Sequence, residues 1–369
     1  MSDAKQEKIG RRDFLKRAAV GAALGIAGAQ LGAAAQAPMD TSKIRSYNPS
    51  MEYRPLGKTG LWVSAVCLGG HWKRVNKMAP SAYEGDNWLG ADINNADFKQ
   101  NRYDVLTRCM EVGINYVDAC TWKEVVTYGW ALQGRRDKMH LGFSWFEEEM
   151  RNGNFRTAEA LLRTLEKGMT QAKLDYVDLW RITMNEGSSS HTQGEVEEMM
   201  KALQTAKEQG KARFTGFSSH DRPHIKWMIE TFPTIVDVAV TPFHLSSREK
   251  PTDSLFDAVR QYNIGVFGIK PFGGGSREVF KGDSGLDDPN AKADDESARL
   301  AIRRILWSNC ITAPIPGLIN AHQVDNMALA VREPRELDAT EQAKLERMGQ
   351  RMLANLPPDY HWLRDWEWV

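Results

Sequence analysis

The 369-residue sequence predicts an α/β fold of the parallel (β/α)8 TIM-barrel type, and three observations lead to that prediction. Eight short apolar runs, each of strand length, recur between Ser64 and Gly317. Amphipathic stretches of helical length alternate with them, which is the pattern of a parallel sheet covered by helices. The length also fits, because a closed barrel of eight such units typically needs about 250 residues.

The predicted elements follow one another in a regular order. A hairpin comes first, in "MEYRPLGKTGLWV", and turns at 57–60. The eight predicted strands are "SAVCLGG", "INYVDAC", "MHLGFSW", "YVDLWRIT", "ARFTGFSS", "VDVAVTP", "IGVFGIK" and "ITAPIPG". The predicted helices span 98–111, 155–172, 194–209, 252–262 and 293–308. We therefore assign the barrel to 51–355, with one further helix near its end at 337–352.

Two segments outside this repeat are candidate contact surfaces. A long loop, residues 73–97, follows the first strand and should hang over the carboxyl-terminal face, where active sites of this fold lie. The C-terminal tail 356–369, "LPPDYHWLRDWEWV", is rich in tryptophan. Because tryptophan is enriched at binding surfaces, we expect both segments to be able to dock a protein partner.

The first 37 residues carry an export signal and no part of the fold. The paired arginines Arg11 and Arg12 are followed by "DFLK" and then by an Ala/Gly-rich apolar run. This combination is typical of twin-arginine signal peptides. We expect a signal over 1–37, a linker over 38–50 and export of the folded protein, to the periplasm or otherwise out of the cytoplasm. Cleavage after Ala35, cleavage after Ala37 and retention as an anchor all stay open.

The charge balance and the cysteine pattern exclude several function classes. Lys+Arg and Asp+Glu are both 48, so the net charge is zero, which argues against a nucleic-acid partner. The four cysteines form no CxxC pair, and we expect free thiols. His71, His220 and His244 follow strand ends, as Asp118 does, which raises a metal site at the barrel mouth as an alternative. The HExxH motif does not occur, so we assign no metal ligands.

Several segments together resemble one enzyme family. "YRPLGKTGLWVSAVCLGG", "GINYVDA", "LDYVDLWRI", "GKARFTGFSSH" and "NIGVFGIKPFGGG" occur in the order found in the aldo/keto reductases. The resemblance covers about 51–352 and implies a (β/α)8 barrel with NADPH, or less often NADH, across its mouth. It also implies carbonyl reduction by hydride transfer. In that reaction a Tyr donates the proton, a Lys–Asp pair lowers the pKa of that Tyr, and a His orients the substrate.

Of the four catalytic residues of that family, this sequence keeps one and has other residues at three positions. Asp118 ends the second strand and matches the family Asp. Lys123 stands at the position of the Tyr, Ser144 at that of the Lys and Thr183 at that of the His. Neither hydroxyl carries a positive charge, so the tetrad is predicted to be degenerate. We expect Lys123 to form an ion pair with Asp118, and Tyr128 to lie inside the next helix rather than to act as the acid.

Positions that bind the cofactor in that family are only partly kept. Ser218 and Ser219 match the pair that holds the carboxamide, with the second residue changed. A basic, glycine-rich loop able to meet phosphate remains, with Lys270, Gly273, Gly274 and Gly275. Leu318 and Ile319 replace the polar residues that usually grip an adenosine 2′-phosphate. NADP or NAD therefore stays a cofactor candidate, but we do not expect tight NADP binding.

Three hypotheses for function follow. The first in rank is an exported, catalytically silent or unconventional barrel that serves as a binding or accessory subunit. The alternative is a divergent NAD(P)-dependent oxidoreductase that acts on a carbonyl or alcohol with Lys123 and Asp118 at its centre. A metal-binding mouth, which requires His71 or His224 to converge with His220 or His244, ranks third. A small-molecule ligand at the mouth is compatible with all three.

Overall fold

The computed structural model describes residues 39–72, 74–85, 90–273, 279–280, 288–356, 358 and 361. The predicted signal (1–37), Gly274, Gly275 and the tryptophans of the tail lie outside these residues. The chain divides into two compact units, Met1–Asp40 and Thr41–Val369. Only Met39 and Asp40 of the first are described, so everything below concerns the second. Within the described ranges, no helix combines the length and the apolar character needed to cross a bilayer.

The predicted hairpin is confirmed. Strand β1 (Tyr53–Pro55) pairs antiparallel with β2 (Trp62–Ser64), and a short 3₁₀ turn (Gly57–Thr59) joins them. Leu56 at the start of the turn is fully buried and contacts Gly265, so the hairpin covers the amino-terminal end of the sheet described next. Gly57 has a positive φ of 50°, and a Cβ there would lie 2.3 Å from the backbone of Gly265. A glycine is therefore required for this close approach.

All eight predicted barrel strands form, and each runs parallel to the next. They are β3 (Leu68–Gly69), β4 (Tyr116–Ala119), β5 (His140–Phe143), β6 (Val177–Thr183), β7 (Ala212–Ser218), β8 (Val238–Pro242), β9 (Gly265–Ile269) and β10 (Ala313–Pro314). A parallel bridge between Gly69 and Gly317 joins the first strand to the segment that follows the last. The sheet is therefore curled and closed as a (β/α)8 barrel, as predicted.

Helices cover the barrel between the strands. They are α1 (Val75–Met78), α2 (Ala96–Val112), α3 (Trp122–Ala131), α4 (Ala158–Ala172), α5 (Gln193–Glu208), α6 (Arg222–Thr231), α7 (Leu255–Tyr262), α8 (Ala291–Trp307), α9 (Ala321–Arg332) and α10 (Ala339–Ala354). The predicted starts of α4 and α7 were three residues early. Thr157 and Ser254 accept backbone N–H groups as N-caps. Because an N-cap is the last residue before a helix, the two helices begin at Ala158 and Leu255.

The strands separate two apolar layers. One set of strand side chains points inward and packs with the hairpin, as Tyr116, Phe267 and Leu56 do in a single buried cluster. The opposite set, exemplified by Phe143 and Trp180, packs under the helices in the largest cluster of the protein. Inward-facing positions near the carboxyl ends of the strands are consequently the ones that can build a site at the mouth.

Candidate functional site

Asp118, at the carboxyl end of β4, is held by a cation that the sequence analysis did not assign to it. Its carboxylate is buried and pairs with Arg181 on β6, which donates from Nε to Oδ1 at 3.0 Å and from Nη2 to Oδ2. The hydroxyl of Tyr116, two residues earlier on the same face, also donates to Oδ1 at 3.1 Å. Asp118 is thus fully engaged inside the barrel, with Arg181 in the place expected for Lys123.

The predicted ion pair between Lys123 and Asp118 is wrong. Lys123 Nζ lies 3.0 Å from Glu84 Oε2 and donates to the carbonyl of Ala91 at 2.7 Å. The reason is local. Thr121 caps α3, so Lys123 falls in the first helical turn and its side chain contacts the loop that follows β3. Lys123 therefore fixes the 73–97 loop to the start of α3.

The two hydroxyls at the other tetrad positions contact each other. Ser144, just after β5, lies 2.8 Å from Thr183 at the end of β6, measured between Oγ and Oγ1. Both also bond Glu149: Ser144 Oγ donates to Oε2, and the Thr183 backbone N–H donates to the same oxygen at 2.7 Å. Arg181 Nη1 donates to Thr183 Oγ1 at 3.1 Å, which joins this group to Asp118. We call these five residues, Asp118, Arg181, Thr183, Ser144 and Glu149, the mouth network.

Glu149 was not foreseen as a site residue. Three consecutive glutamates, as in the run Glu147–Glu149, are typical of a solvated face, yet Glu149 is fully buried. A 3₁₀ turn (Phe146–Glu148) returns the chain toward β5 and places the carboxylate between two strand ends. Burial raises the pKa of Glu149, and the hydrogen bonds from Ser144, Thr183 and Trp145 lower it only in part. The sequence contains no signal for this, because the contact depends on the path of a loop.

Arg181 did leave a signal in the sequence. It lies in the apolar strand "YVDLWRIT", two residues before Thr183, and side chains two apart on a strand share one face. A charged residue in a fully buried strand requires a partner of opposite charge. The nearest acid at a neighbouring strand end is Asp118, so this pair could have been inferred.

Glu149 is the group of the mouth network whose pKa burial raises, but both of its oxygens already accept hydrogen bonds, Oε2 from Ser144 and Thr183 and Oε1 from the Trp145 N–H. Serine and threonine hydroxyls do not titrate near neutrality, and arginine stays protonated. Burial raises the pKa of Tyr116 well above its usual value, and that of Tyr128 to about 12. Tyr128 lies within α3, as predicted, and its hydroxyl is directed at the carbonyl of Gly69. Neither tyrosine has the lowered pKa that a proton-donating Tyr requires.

The side of the mouth formed by β7 and β9 carries positive charge. Lys270 directly follows β9 with a positive φ of 57°, and Ser218 ends β7. Burial lowers the pKa of His220 well below its usual value, and the nearby charges of Lys270 and Arg151 lower it further. Glu186 lies 3.7 Å from Arg151 and compensates part of this charge, and Lys270 adds a second cation that can attract an anionic ligand. Ser219 is engaged elsewhere, since its Oγ donates to Ser188 Oγ at 2.7 Å.

The described residues at the predicted adenosine end do not fit a 2′-phosphate. Leu318 and Ile319 are buried, and their carbonyls accept hydrogen bonds of 2.9 Å from Arg102. Gly273 packs closely on α10, where a Cβ would lie 2.1 Å from the sulfur of Met352. Gly274 and Gly275 lie outside the described residues. We therefore derive no chemical step through a nicotinamide cofactor.

The histidines do not converge as the metal alternative required. Among the described residues, only His71, Cys120 and Glu124 bring three ligand atoms within 4.8 Å of one another. The set proposed from the sequence, His71 with His220, His244 and Asp118, is therefore wrong. All four cysteines are free thiols, as predicted.

Comparison with known proteins agrees with this architecture. The sequence model described as "Aldo/keto reductase family" matches residues 88–349. The holo form of aldo-keto reductase AKR11C1 from Bacillus halodurans is similar in structure, with a TM-score of 0.57 and 18% identity over 81% of this chain and 96% of that chain. Its apo form gives a TM-score of 0.53 at the same identity and coverage.

The fold and the position of the polar residues define a parallel barrel with its site at the carboxyl ends of the strands. The family match extends over most of the chain, including every barrel strand from β4 to β10. The chain belongs to the aldo/keto reductase family. At 18% identity, the solved structures support the fold only.

Proposed function

We propose that this chain is an exported aldo/keto reductase family barrel that has lost tetrad-based carbonyl reduction and serves as a binding or accessory subunit. One observation carries the proposal: the polar groups at the tetrad positions bond one another or the adjacent loop. Asp118 pairs with Arg181, Ser144 and Thr183 share Glu149, and Lys123 bonds Glu84. A substrate carbonyl at this place would meet no tyrosine with a lowered pKa, and Glu149, the acid of the network whose pKa burial raises, already accepts hydrogen bonds on both oxygens.

Export and partner binding complete the proposal. The twin-arginine pattern in 1–37 supports export to the periplasm. The loop 73–97 and the tail 356–369 supply the contact surface in this proposal, and Tyr83 within the loop is exposed. Light scattering on the protein isolated from the periplasm measures its native mass. The mass of a single chain would contradict the accessory role.

The loss of carbonyl reduction is tested by assaying the mature protein with NADPH, NADH and a panel of aldehydes and ketones. We expect no turnover, because the tetrad positions hold no proton-donating tyrosine and both oxygens of Glu149 are already bonded. The variant Lys123→Met and the control Lys201→Met, an exposed position on α5, are assayed beside it. Turnover that Lys123→Met abolishes and Lys201→Met retains would overturn the proposal.

A second candidate function is a divergent NAD(P)-dependent oxidoreductase, and the positive side of the mouth favours it. Lys270, Arg151 and Ser218 could hold a phosphate-bearing ligand without the tetrad. Titration of the mature protein with NADH and with NADPH decides this candidate. Saturable micromolar binding of NADH or NADPH that weakens in Lys270→Met, but not in the exposed control Lys250→Met, would establish it. Absence of binding at millimolar cofactor would exclude it.

A further inference from the structure

We infer that His71, Cys120 and Glu124 bind a divalent transition-metal ion of the zinc type at the edge of the barrel mouth. His71 Nδ1 lies 2.7 Å from Glu124 Oε1 and 3.9 Å from Cys120 Sγ. Imidazole, thiolate and carboxylate are the ligand types that zinc accepts, and three protein ligands leave a fourth position open. The inference is independent of whether the barrel reduces carbonyls.

The fold brings the three side chains together from separate elements. His71 follows β3, Cys120 follows β4, and these two strands are parallel neighbours with Gly69 opposite Asp118. Glu124 lies in the first turn of α3, four residues after Cys120. Gly70 makes room for it, because a Cβ at that position would lie 2.5 Å from the Glu124 carboxyl carbon. Any side chain at 70 would push the carboxylate out of the cluster.

The spacing is close to that of a tetrahedral site. Zinc bonds of about 2.3 Å to sulfur and about 2.0–2.2 Å to nitrogen and oxygen put sulfur about 3.6 Å, and oxygen about 3.4 Å, from the nitrogen. The Cys120–His71 distance of 3.9 Å is near the first value. The His71–Glu124 distance of 2.7 Å is that of a hydrogen bond. Metal binding replaces this bond and requires the two atoms to separate by about 0.7 Å.

The carboxylate is already oriented toward the ion. Glu124 Oε2 accepts the Cys120 backbone N–H at 2.7 Å, which leaves Oε1 facing His71. An outer hydrogen bond that fixes a ligand in this way is usual in metal sites. The side chain of His71 is 43% exposed, so an ion can enter from solvent.

The negative charges of the ligands favour a divalent cation, and they outweigh the opposing dipole of helix α3. Metal binding displaces the proton of the Cys120 thiol, whose pKa burial and Glu124 raise well above its usual value, and the resulting thiolate and the Glu124 carboxylate give the ligand set two negative charges. The amino terminus of α3 opposes a cation, but this effect is small beside direct ligation. The thiolate selects zinc or cobalt over magnesium and calcium.

The experiment titrates the mature, chelator-treated protein with Co²⁺, whose thiolate complexes give a sulfur-to-metal charge-transfer absorption. We expect this band in the wild type at one ion per chain, with competition by Zn²⁺. Cys120→Ser should abolish the band. Cys310→Ser is the matched control, because Cys310 also lies beside a glutamate, Glu249 at 3.8 Å, but belongs to no three-ligand group in the described part of the chain.

A second variant keeps the inference testable if Cys120→Ser fails to fold. His71→Asn changes a half-exposed side chain and should weaken Co²⁺ binding by at least about 100-fold, at or beyond the upper end of the loss from an outer-shell partner. Circular dichroism reports the fold of each variant. A wild type without the band, or a band that persists in Cys120→Ser, would overturn the inference.

Discussion

At the scale of single residues, the central feature is a buried ion pair in a position where the family holds a catalytic one. Asp118 keeps its place at the end of β4, but its cation comes from Arg181 on β6. Arginine stays charged and donates in a fixed planar fork, whereas a lysine can titrate. The pair therefore holds the mouth network rigidly and has no proton to exchange near neutrality.

Arg181→Met should lower the free energy of unfolding by about 3–5 kcal/mol, because it leaves Asp118 buried without a countercharge. The double variant Asp118→Asn/Arg181→Met should recover part of this loss, since no charge remains unpaired. Urea unfolding followed by tryptophan fluorescence measures both, with Lys201→Met as the surface control. A double variant no more stable than Arg181→Met would show that the unpaired carboxylate is not the cause.

The tetrad positions could be located from the sequence, but their contacts could not. Asp118, Ser144 and Thr183 follow apolar strand runs, and the strand ends fix where they lie. Lys123 was placed beside Asp118 because the two are close in sequence, whereas the first turn of α3 directs it to Glu84. The position of the Glu149 carboxylate depends on the path of a loop, and a periodic sequence pattern does not predict that path.

At the scale of elements, the amino end of β6 carries a second buried charge cluster, far along the strand from the mouth network. Asp178 is almost fully buried and contacts Arg136 Nη2 at 2.6 Å, Arg213 Nη1 at 2.7 Å and Arg45 Nη1 at 3.1 Å. Its Oδ2 also accepts the N–H of Leu141 on β5. Charged residues at this face of a barrel serve stability rather than catalysis.

Asp178→Asn should cost up to about 3 kcal/mol of unfolding free energy at neutral pH, because it leaves three partly buried arginines without their shared countercharge. Burial alone raises the pKa of Asp178, but His140 and the arginines outweigh it and hold that pKa well below its usual value. The stabilisation is therefore complete above the unfolded pKa of about 3.9 and is lost as the pH falls below it.

Denaturant unfolding between about pH 5 and pH 3 measures this contribution, since the window spans the unfolded pKa. The wild type should lose stability more steeply than Asp178→Asn. Asp137→Asn is the control, because Asp137 is exposed and pairs only with Lys138 among the described residues. Parallel curves for the wild type and Asp178→Asn would contradict the assignment.

At the scale of the whole molecule, buried neutral histidines make stability depend on pH. His140, His220 and His244 are buried, and burial lowers the pKa of each, in His244 to about 3. Their folded pKa values lie below the unfolded value of about 6.5, so the unfolded chain binds more protons below that pH. Stability is therefore highest above about pH 6.5 and falls as the pH drops.

The free energy of unfolding should fall between about pH 7.5 and pH 5.5, by up to about 1.4 kcal/mol per pH unit for each such histidine below 6.5. His244→Gln should reduce this slope. Lys201→Met, the surface control used above, should leave it unchanged. A slope that His244→Gln does not alter would show that His244 is not protonated on unfolding in this range.

The architecture was the most predictable level. Eight apolar runs, the hairpin and the closed barrel all follow from periodicity and turn residues, and all are confirmed. Helix starts shifted where Thr157 and Ser254 cap the backbone, because a cap depends on a local hydrogen bond that composition does not reveal. Side-chain partners that depend on the path of a loop or on the exact start of a helix, such as those of Glu149 and Lys123, lie beyond any local pattern.

The closure of the barrel also determines when the chain can finish folding. Gly69 pairs with Gly317, and Leu56 of the hairpin packs in one cluster with Phe267 and Ala313. The contacts that close the barrel therefore join its first and its last segments in the sequence. Contacts of such long sequence separation form slowly. A growing chain on the ribosome therefore keeps the edges of β3 and β9 unpaired until the final strand has been synthesised, and it depends on protection from aggregation until then.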